Sequence, residues 1–270
     1  MAAVEKKFEE AREAYETELR RLPNLTHPDS PLGDTDADNK EIRQWTTPGL
    51  RPGGEDHVQI GKRLGLIDFE GGGKVAGSGF YFLKNEAVLL ELGLVRMALE
   101  MLRGEGFSLY ETPDVARPKI LEGIGFNPRG AETQIYSIAD QDLCLIGTAE
   151  ITLGGLHADE ILDAAALPMK LAGVSHCFRT EAGAAGRESK GLYRVHQFTK
   201  VEMFAFTRPE DSAATHEYLV GLEERFFQSI EVPYRVVDIC TGDLGGPAYR
   251  KYDIEAWMPG RGKAGEWGEV

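Results

Sequence analysis

Charged side chains alternate with apolar ones in two neighbouring segments of the chain, Cys177 to Gly183 and Tyr193 to Met203. The stretch between them is rich in glycine, so the two segments predict an antiparallel hairpin in which every second side chain points to the same face. One predicted face is polar and carries an aromatic ring; it holds Arg179, Glu181, Phe198, Lys200 and Glu202. The other face is apolar, as a buried back requires; it holds Val201, Met203 and Ala205.

The polar face has the side chains that a nucleotide site needs. A ring can stack on a base, cations can bind phosphates, and carboxylates can accept hydrogen bonds from amino groups. An ordinary hairpin with one solvated face also alternates between polar and apolar residues. The combination of a phenylalanine with two cations and two carboxylates favours the nucleotide site over that simpler interpretation.

The elements that must position this hairpin follow from the spacing of apolar residues. Residues 85–103 have the periodicity of an amphipathic helix, which the glycines at 104 and 106 end. Residues 61–69 have short helical character, and a turn at Gly71 to Lys74 interrupts it. That turn is not a phosphate-binding loop, because Val75 stands where such a loop needs Ser or Thr. Further strands are predicted at 135–138, 143–146, 232–239 and 252–257.

The amino end predicts a separate helix followed by a linker. Apolar residues recur there at spacings of three and four, which is typical of a helix with one apolar stripe. A single helix of this length is marginal in water and needs a partner helix. Prolines and an acidic run then break the helix. We therefore expect a helix at 1–22, a linker at 23–40 and a globular domain at 41–270.

The hairpin segments resemble the second signature motif of class II aminoacyl-tRNA synthetases, and their amino-acid sequence is similar to that of seryl-tRNA synthetases. The matching residues are Phe178-Arg-Thr-Glu-Ala-Gly183 and Arg194-Val-His-Gln-Phe198. The resemblance extends to residues 22–28, 79–84 and 147–150 and so covers nearly the whole chain. It implies an α+β fold, with a class II antiparallel sheet flanked by helices and preceded by the end of a coiled-coil arm that binds tRNA. Residues 1–22 would be the remnant of that arm.

The resemblance implies a serine–tRNA ligase, which activates L-serine with ATP to seryl-adenylate and transfers it to the 3′ end of tRNA(Ser). Arg179 would be the catalytic residue, on the α-phosphate. The implied ATP-binding residues are Arg179, Thr180, Glu181, Val195, His196, Gln197, Phe198 and Glu269. The implied serine-binding residues are Thr148, Ala149, Glu150 and Glu202. Glu269 would also hold Mg²⁺ through ATP. Weaker tRNA contacts would come from Arg187, Lys190 and Arg194.

Thr148, and Lys200 on the polar face of the hairpin, each have a second interpretation. Thr148 precedes an apolar segment and could equally cap a helix, and both roles could hold at once. Lys200 could face the ligand or could be a structural partner of a neighbouring carboxylate, and the sequence does not decide between these. The resemblance also makes the helix at 85–103 part of a twofold interface, so a homodimer is expected.

Composition limits the other possibilities. The 270 residues are 42% hydrophobic and 27% charged, with no run that approaches a membrane span. The net charge of −14 argues against a general nucleic-acid binder, so any tRNA contact must be local. Three widely spaced cysteines predict reduced thiols and no zinc site. The amino end does not read as a targeting segment, and a cytoplasmic protein is expected.

The sequence ends at Val270, before the family's third signature motif, and begins within the arm. We therefore expect a chain truncated at both ends, with exposed sheet edges and impaired activity. Two alternatives stay open. One is an aminoacylating relative that acts on carrier proteins, which the arm segment and Thr148-Ala-Glu150 disfavour. The other is a non-catalytic synthetase-like protein with a binding or regulatory role. The nucleotide-binding residues argue against it; they are Arg179, Glu181, Phe198 and Glu202.

Overall fold

The hairpin that the sequence predicts forms two of the three strands of one sheet. A computed structural model describes residues 1–47, 53–126, 134–182 and 191–270. The seven helices in these residues are α1 (Ala2–Leu19), α2 (His57–Arg63), α3 (Phe69–Ala76), α4 (Glu86–Gly104), α5 (Pro118–Gly123), α6 (Ala149–Gly155) and α7 (Ser212–Ser229). The strands are β1 (Lys40–Trp45), β2 (Ile67–Asp68), β3 (Phe82–Leu83), β4 (Ser108–Glu111), β5 (Val115–Ala116), β6 (Cys144–Leu145), β7 (Met169–Phe178), β8 (Gln197–Phe206), β9 (Tyr234–Asp238), β10 (Tyr252–Met258) and β11 (Glu266–Glu269).

Strands β7 and β8 pair in antiparallel fashion over ten residues each, from Met169 opposite Phe206 to Phe178 opposite Gln197. Strand β4 runs parallel to β7 at the other edge and gives the order β4-β7-β8. A second, fully antiparallel sheet has the order β1-β9-β10-β11. Two short ribbons, β2-β3 and β5-β6, complete the described sheets. The α+β fold is as predicted, but in the described residues the strands form two main sheets and one pairing is parallel.

Helix α7 packs against both main sheets. Its Leu222 belongs to a core cluster with Leu102, Phe107 and Ala172, against which Val201 and Met203 of β8 also pack. Its Val220 belongs to another cluster with Tyr234, Val236 and Ile254 of the second sheet. Positions 220 and 222 are nearly opposite on a helix, so α7 lies in the space that the two sheets leave. The apolar face predicted for β8 is therefore packed against this core and partly buried.

A third cluster lies under the ribbon β5-β6. It contains Leu121, Ile146 and Ile151, all without measurable solvent exposure. Helices α5 and α6 meet there, and α6 contacts both β7 and β8. This cluster fixes the amino end of α6 against the hairpin.

The linker lies along the globular part. Backbone N–H groups of Asn24 and His27 donate to the carbonyl oxygens of Gly246 and Tyr249, at 2.8 and 2.9 Å. Arg20, just after α1, forms an ion pair with Glu122 of α5 at 3.3 Å. Helix α1 is exposed from Val4 to Leu19 except at Glu16, which is partly exposed. The coiled coil and the division at residues 22 and 40 stay predictions.

Three local predictions are wrong. Gly71 to Lys74 lie inside α3 and do not form a turn, because the Asp68 side chain caps the helix by accepting from the Gly71 N–H at 2.7 Å. Residues 61–69 are not continuously helical, since α2 ends at Arg63 and β2 follows. Residues 135–138 form a single bridge, Ser137 opposite Cys144, and no strand. The predicted helix at 85–103 and the predicted strands at 232–239 and 252–257 are confirmed within two residues at each end. In the described residues no helix is long and apolar enough to cross a bilayer.

The position of Leu222 makes a testable prediction. We expect Leu222→Ala to lower the free energy of unfolding by about 2–5 kcal/mol, because it opens a cavity in a buried cluster that includes both α7 and β7. Urea denaturation monitored by circular dichroism measures this. Leu32→Ala makes the same change at a side chain that is 90% exposed, and it should shift stability by no more than about 0.5 kcal/mol. Equal effects of the two variants would contradict the packing described.

Candidate functional site

Arg179 lies at the end of β7 beside the ring of Phe198. Its backbone N–H donates to the His196 carbonyl oxygen at 3.0 Å, which extends the β7-β8 pairing by one residue. Its Nε donates to the Gly147 carbonyl oxygen at 3.2 Å. The guanidinium carbon is 5.1 Å from the centre of the Phe198 ring. The predicted phosphate cation and the predicted base-stacking ring are therefore neighbours.

A second polar group lies on the same face of β8. Thr148 Oγ1 donates to Glu202 Oε2 at 2.6 Å, and Lys200 Nζ lies 2.6 Å from the same oxygen. Lys200 also donates to Thr148 Oγ1 at 3.2 Å. In addition, Thr148 Oγ1 accepts from the Glu150 N–H at 3.2 Å and so caps α6. The capping role of Thr148 and the pairing of Lys200 with a carboxylate are both observed.

Glu150 connects the two groups electrostatically. Burial raises the pKa of the Glu150 carboxyl, and the like charge of Glu202 raises it further, while Lys200 and Arg179 act in the opposite direction. These four charged side chains therefore share one environment. Ala149 is fully buried and its methyl group lies close to Gly173. Ala149 therefore belongs to the support beneath the site.

Glu181 departs from its predicted position. Strand β7 ends at Phe178, and Glu181 has a φ of +51°, so the prediction that it shares a strand face with Arg179 is wrong. The left-handed backbone turns the chain away from the sheet at this residue. Its carboxylate accepts from Arg194 Nη1 at 2.9 Å. A residue predicted to bind adenine is thus paired with one predicted to contact tRNA; Arg187 and Lys190 lie outside the described residues.

The backbone around Arg179 is held by neighbouring segments. The Thr180 N–H donates to the Gln134 carbonyl oxygen at 3.0 Å. His196 Nδ1 donates to the Arg179 carbonyl oxygen at 2.9 Å, and the His196 N–H donates to that of Gly79 at 3.1 Å. Two predicted ATP residues, Thr180 and His196, therefore support the site through their backbone and a ring nitrogen.

The other two predicted nucleotide residues of this segment flank His196. Val195 is buried, with 6% of its surface exposed. Gln197 is exposed and begins β8 opposite Phe178. Gln197 is adjacent to Phe198 on β8, so its side chain points to the opposite face, and Val195 belongs to the support beneath the site.

Glu269 lies on the second sheet, at the end of β11. It is exposed and stands opposite Glu255, so both side chains share a face. Glu255 accepts from Arg235 Nε at 2.5 Å. This face is opposite to the one that Val236 and Ile254 bury near α7. Because Phe198 and Glu202 also point away from the side of β8 that packs near α7, both sets of predicted ligand groups lie on faces turned from that helix.

A resident metal centre finds no support in the described ranges. No group of three or more His, Cys, Asp or Glu side chains there could hold an ion. Mg²⁺ typically uses one or two carboxylates together with the phosphates of a substrate. A single exposed carboxylate, Glu269, fits an ion that arrives with a nucleotide.

Sequence reasoning missed the small residues beneath the site. Ser175 and Cys177 stand opposite Lys200 and Phe198 and are buried on the same face. Their Oγ and Sγ atoms are 3.4 Å apart. Burial raises the pKa of the Cys177 thiol, which favours the neutral form. Counting back by twos from Arg179 along the strand is the signal that would have found them.

A model of known protein families matches half of the chain. It describes the tRNA synthetase class II core domain (G, H, P, S and T), and the match covers residues 135–270. The chain belongs to this class II core family. The match contains α6, β7, β8 and β11, and so includes the described residues of both polar groups as well as Glu269.

Two curated relatives of this class II core protein are both named serine–tRNA ligase. The serine–tRNA ligase of Rubrobacter xylanophilus is 59% identical over 97% of the chain, and that of Treponema denticola is 55% identical over all of it. The match covers 62% and 64% of these two relatives. The chain therefore spans about three fifths of the length of the curated relatives it matches.

A solved structure supports the fold. The seryl-tRNA synthetase of Pyrococcus horikoshii, in complex with ATP, superimposes with a TM-score of 0.90 at 44% identity. The match includes the whole of this chain and 64% of the length of that structure. The cytoplasmic serine–tRNA ligase of Naegleria fowleri, in complex with AMP, gives the same TM-score at 30% identity. The resemblance read from the sequence is confirmed.

One carboxyl group on α7, the helix that packs against both main sheets of the class II core, predicts that the stability of the fold depends on pH. Glu223 of α7 retains access to solvent, yet surrounding protein atoms raise its pKa from 4.5 to about 7, with a further contribution from Glu202. Asp253 and Glu224 act in the same direction, and Lys200 opposes them. Between pH 4.5 and about 7 the folded state therefore holds a proton that the unfolded state has released. The contribution of the protonated Glu223 to the free energy of unfolding is complete below pH 4.5 and is lost as pH rises through 7.

We expect Glu223→Gln to become more stable relative to the wild type as pH rises from 4.5 to 8, because glutamine has no proton to lose. Urea denaturation at several pH values in this range measures the difference. Glu13→Gln on the exposed helix α1 is the matched control and should keep the wild-type pH profile. A constant difference between Glu223→Gln and the wild type across the range would contradict the prediction.

Proposed function

We propose that the chain is the greater part of the catalytic domain of a serine–tRNA ligase, which activates L-serine with ATP and transfers it to tRNA(Ser). The observation that carries the proposal is the adjacency of two groups on one face of the β7-β8 hairpin. One is Arg179 against Phe198, and the other is Thr148 with Lys200 and Glu202. Relatives named serine–tRNA ligase support the assignment.

Arg179 is the residue for the α-phosphate. Attack of the serine carboxylate on that phosphate builds negative charge as pyrophosphate leaves, and a fixed guanidinium stabilises it. The hydrogen bond from Nε to the Gly147 carbonyl oxygen holds the side chain in place. No protein nucleophile is needed, because such chemistry depends on position and electrostatics. The ring of Phe198 offers a face on which adenine can stack.

Glu181 is the acceptor for the adenine amino group. A carboxylate has about four acceptor positions, so it can keep its bond to Arg194 while it accepts another hydrogen. The pairing also means that one donor of Arg194 is used within the protein. Arg194 therefore contributes to tRNA binding at most with its other guanidinium donors.

Glu202 recognises the serine hydroxyl, Thr148 orients Glu202 from beneath, and Glu150 stands near the ammonium group. Glu202 accepts the substrate hydroxyl at a lone pair that Thr148 and Lys200 leave. Lys200 forms an ion pair with Glu202 at 2.6 Å and so orients its carboxylate. A pocket built to bond a hydroxyl rejects alanine, because its polar groups would then be left unpaired. Mg²⁺ bound with ATP would be held by Glu269 and would neutralise phosphate charge.

The partners beyond the site follow from the same assignment. Residues 1–22 are the end of a coiled-coil arm for tRNA, 23–40 are the linker and 41–270 are the catalytic part. The arm helix α1 is exposed and apolar on one stripe, as a helix that awaits a partner would be. We place the protein in the cytoplasm as a homodimer.

The function is tested by serine-dependent exchange of pyrophosphate into ATP. The assay is run on the 270-residue chain and on the protein read from its whole gene to the natural stop codon. We expect exchange with serine and not with alanine. Arg179→Ala should lower the rate by about 100-fold to 1,000-fold, as removal of one charge-stabilising donor typically does. Glu202→Gln should reduce the preference for serine over alanine.

Arg208→Ala is the matched control, because Arg208 donates to the Ala164 carbonyl oxygen away from both polar groups; its exchange rate should equal that of the wild type. The proposal would be overturned if a folded full-length protein exchanged no pyrophosphate, whichever amino acid was supplied. That result would favour the non-catalytic synthetase-like binding protein.

The homodimer has its own test. Leu89 and Leu92 of α4 are 69% and 58% exposed, and Leu109 of β4 is a further exposed apolar residue. Leu89→Glu combined with Leu92→Glu should give a monomer in light scattering after gel filtration, because an unpaired charge cannot be buried in an apolar interface. Val75→Glu introduces the same charge at an exposed site of α3 and should leave the dimer intact. A dimeric double variant would rule out this face.

A further inference from the structure

The proposed nucleotide ligands belong to two different sheets. Arg179 and Phe198 lie on the β7-β8 hairpin, whereas Glu269 ends β11. Among the described strands, no strand of the β4-β7-β8 sheet pairs with a strand of the β1-β9-β10-β11 sheet. The distance between the two halves of the site must therefore be set by contacts other than strand pairing.

One such contact joins Tyr193 to β11. The guanidinium carbon of Arg261 lies 4.3 Å from the centre of the Tyr193 ring. Arg261 Nε also forms an ion pair with Glu266, the first residue of β11, at 3.3 Å. A side chain at Gly268 would meet the Tyr193 hydroxyl at 3.0 Å and Arg261 Nη1 at 2.7 Å. Tyr193 and Arg261 thus lie directly on the backbone that carries Glu269.

A second contact holds the same end of the hairpin. The Leu192 N–H donates to His57 Nε2 at 2.9 Å, which requires the imidazole to carry its proton on Nδ1. Gly191 has a φ of +73°, and a Cβ there would lie 2.0 Å from His57 Nε2. No other residue than glycine can bring the chain this close to the first residue of α2.

The amino end of α2 also reaches the turn between β10 and β11. The Gly53 N–H donates to the Pro259 carbonyl oxygen at 3.1 Å, three residues before the helix is capped by Asp56. His57, Tyr193 and Arg261 therefore act between the same two parts of the molecule. Each of the three connects the returning end of the hairpin with the β10-β11 unit, directly or through α2.

We propose that His57, Tyr193 and Arg261, here called the clasp, are positioning residues that hold the β7-β8 hairpin against β11 and so set the affinity for ATP. The proposal rests on the proposed function, in which the hairpin and Glu269 bind the two ends of one nucleotide. Serine binds at Glu202 of β8 and at the amino end of α6, which the clasp does not touch. The clasp therefore separates the binding of ATP from the binding of serine.

The test uses the protein read from its whole gene. We expect Tyr193→Leu and Arg261→Met each to raise the KM for ATP about fivefold to twentyfold, because a ligand group displaced by an ångström loses much of its contribution. The KM for serine should stay within about twofold of the wild type, as expected when the lost interaction concerns only ATP. The double variant should be no worse than the single ones, because the two side chains act through one contact.

Conservative variants separate positioning from general damage. Tyr193→Phe keeps the ring under Arg261 and should keep the wild-type KM for ATP. His57→Gln can still accept from the Leu192 N–H and should resemble the wild type, whereas His57→Ala should raise the KM for ATP. Tyr252→Leu removes a ring from beneath Arg250, where the guanidinium carbon lies 5.0 Å away. It is the matched control, and it should lower Tm without a change in the KM for ATP.

Direct binding of ATP, measured by isothermal titration calorimetry without serine, distinguishes the clasp from the proposed function. If the wild type binds ATP but exchanges no pyrophosphate with serine, the proposed function fails, and a weaker Kd of Tyr193→Leu and Arg261→Met still supports the clasp. Unchanged ATP affinity in these variants would overturn the clasp. So would a wild type that binds no ATP, or an equal rise in both KM values.

Discussion

The pairing of β7 with β8 is the interaction on which the site depends. It places Gly173, Ser175 and Cys177 opposite Glu202, Lys200 and Phe198. Each large polar or aromatic side chain therefore faces a small residue on the neighbouring strand. A shift of the register by one residue would turn Glu202 and Lys200 towards the core and Val201 and Met203 towards the ligand. Burial of that apolar face against Leu102, Phe107 and Leu222 is what prevents the shift.

The small residues on β7 also admit α6 to the site. Because Gly173 has no side chain, the first turn of α6 can pack on β7 beside Glu202. Thr148 then both caps the helix and donates to the carboxylate. Packing and chemistry thus have one cause here, and the hydroxyl that orders the helix is the hydroxyl that orients Glu202. Removing it would affect the fold and the site together.

Much of this could be predicted because it depends on residues that are close in the sequence. The alternation along 197–206 determines both faces of β8, and the apolar period of 86–104 determines α4. The prediction failed where distant contacts decide the conformation. Nothing near Glu181 indicates its positive φ, which accompanies an ion pair with Arg194 across the loop. The glycines at 71–73 failed for a local reason, because their propensity suggests a turn whereas the cap from Asp68, three residues before Gly71, keeps them helical.

The same distinction applies to the way in which the two sheets are joined. Helix α7 joins them through buried apolar side chains, Leu222 towards one sheet and Val220 towards the other, and this contact contributes mainly to stability. The contacts of Tyr193, Arg261 and His57 are partly exposed and individually weak, so they add little to stability. They are directional, however, and they act on the backbone next to Glu269. A fold that holds its sheets together by burial can therefore adjust their relative position with a few polar contacts. No local sequence pattern predicts these contacts, because His57 lies 135 residues before Leu192.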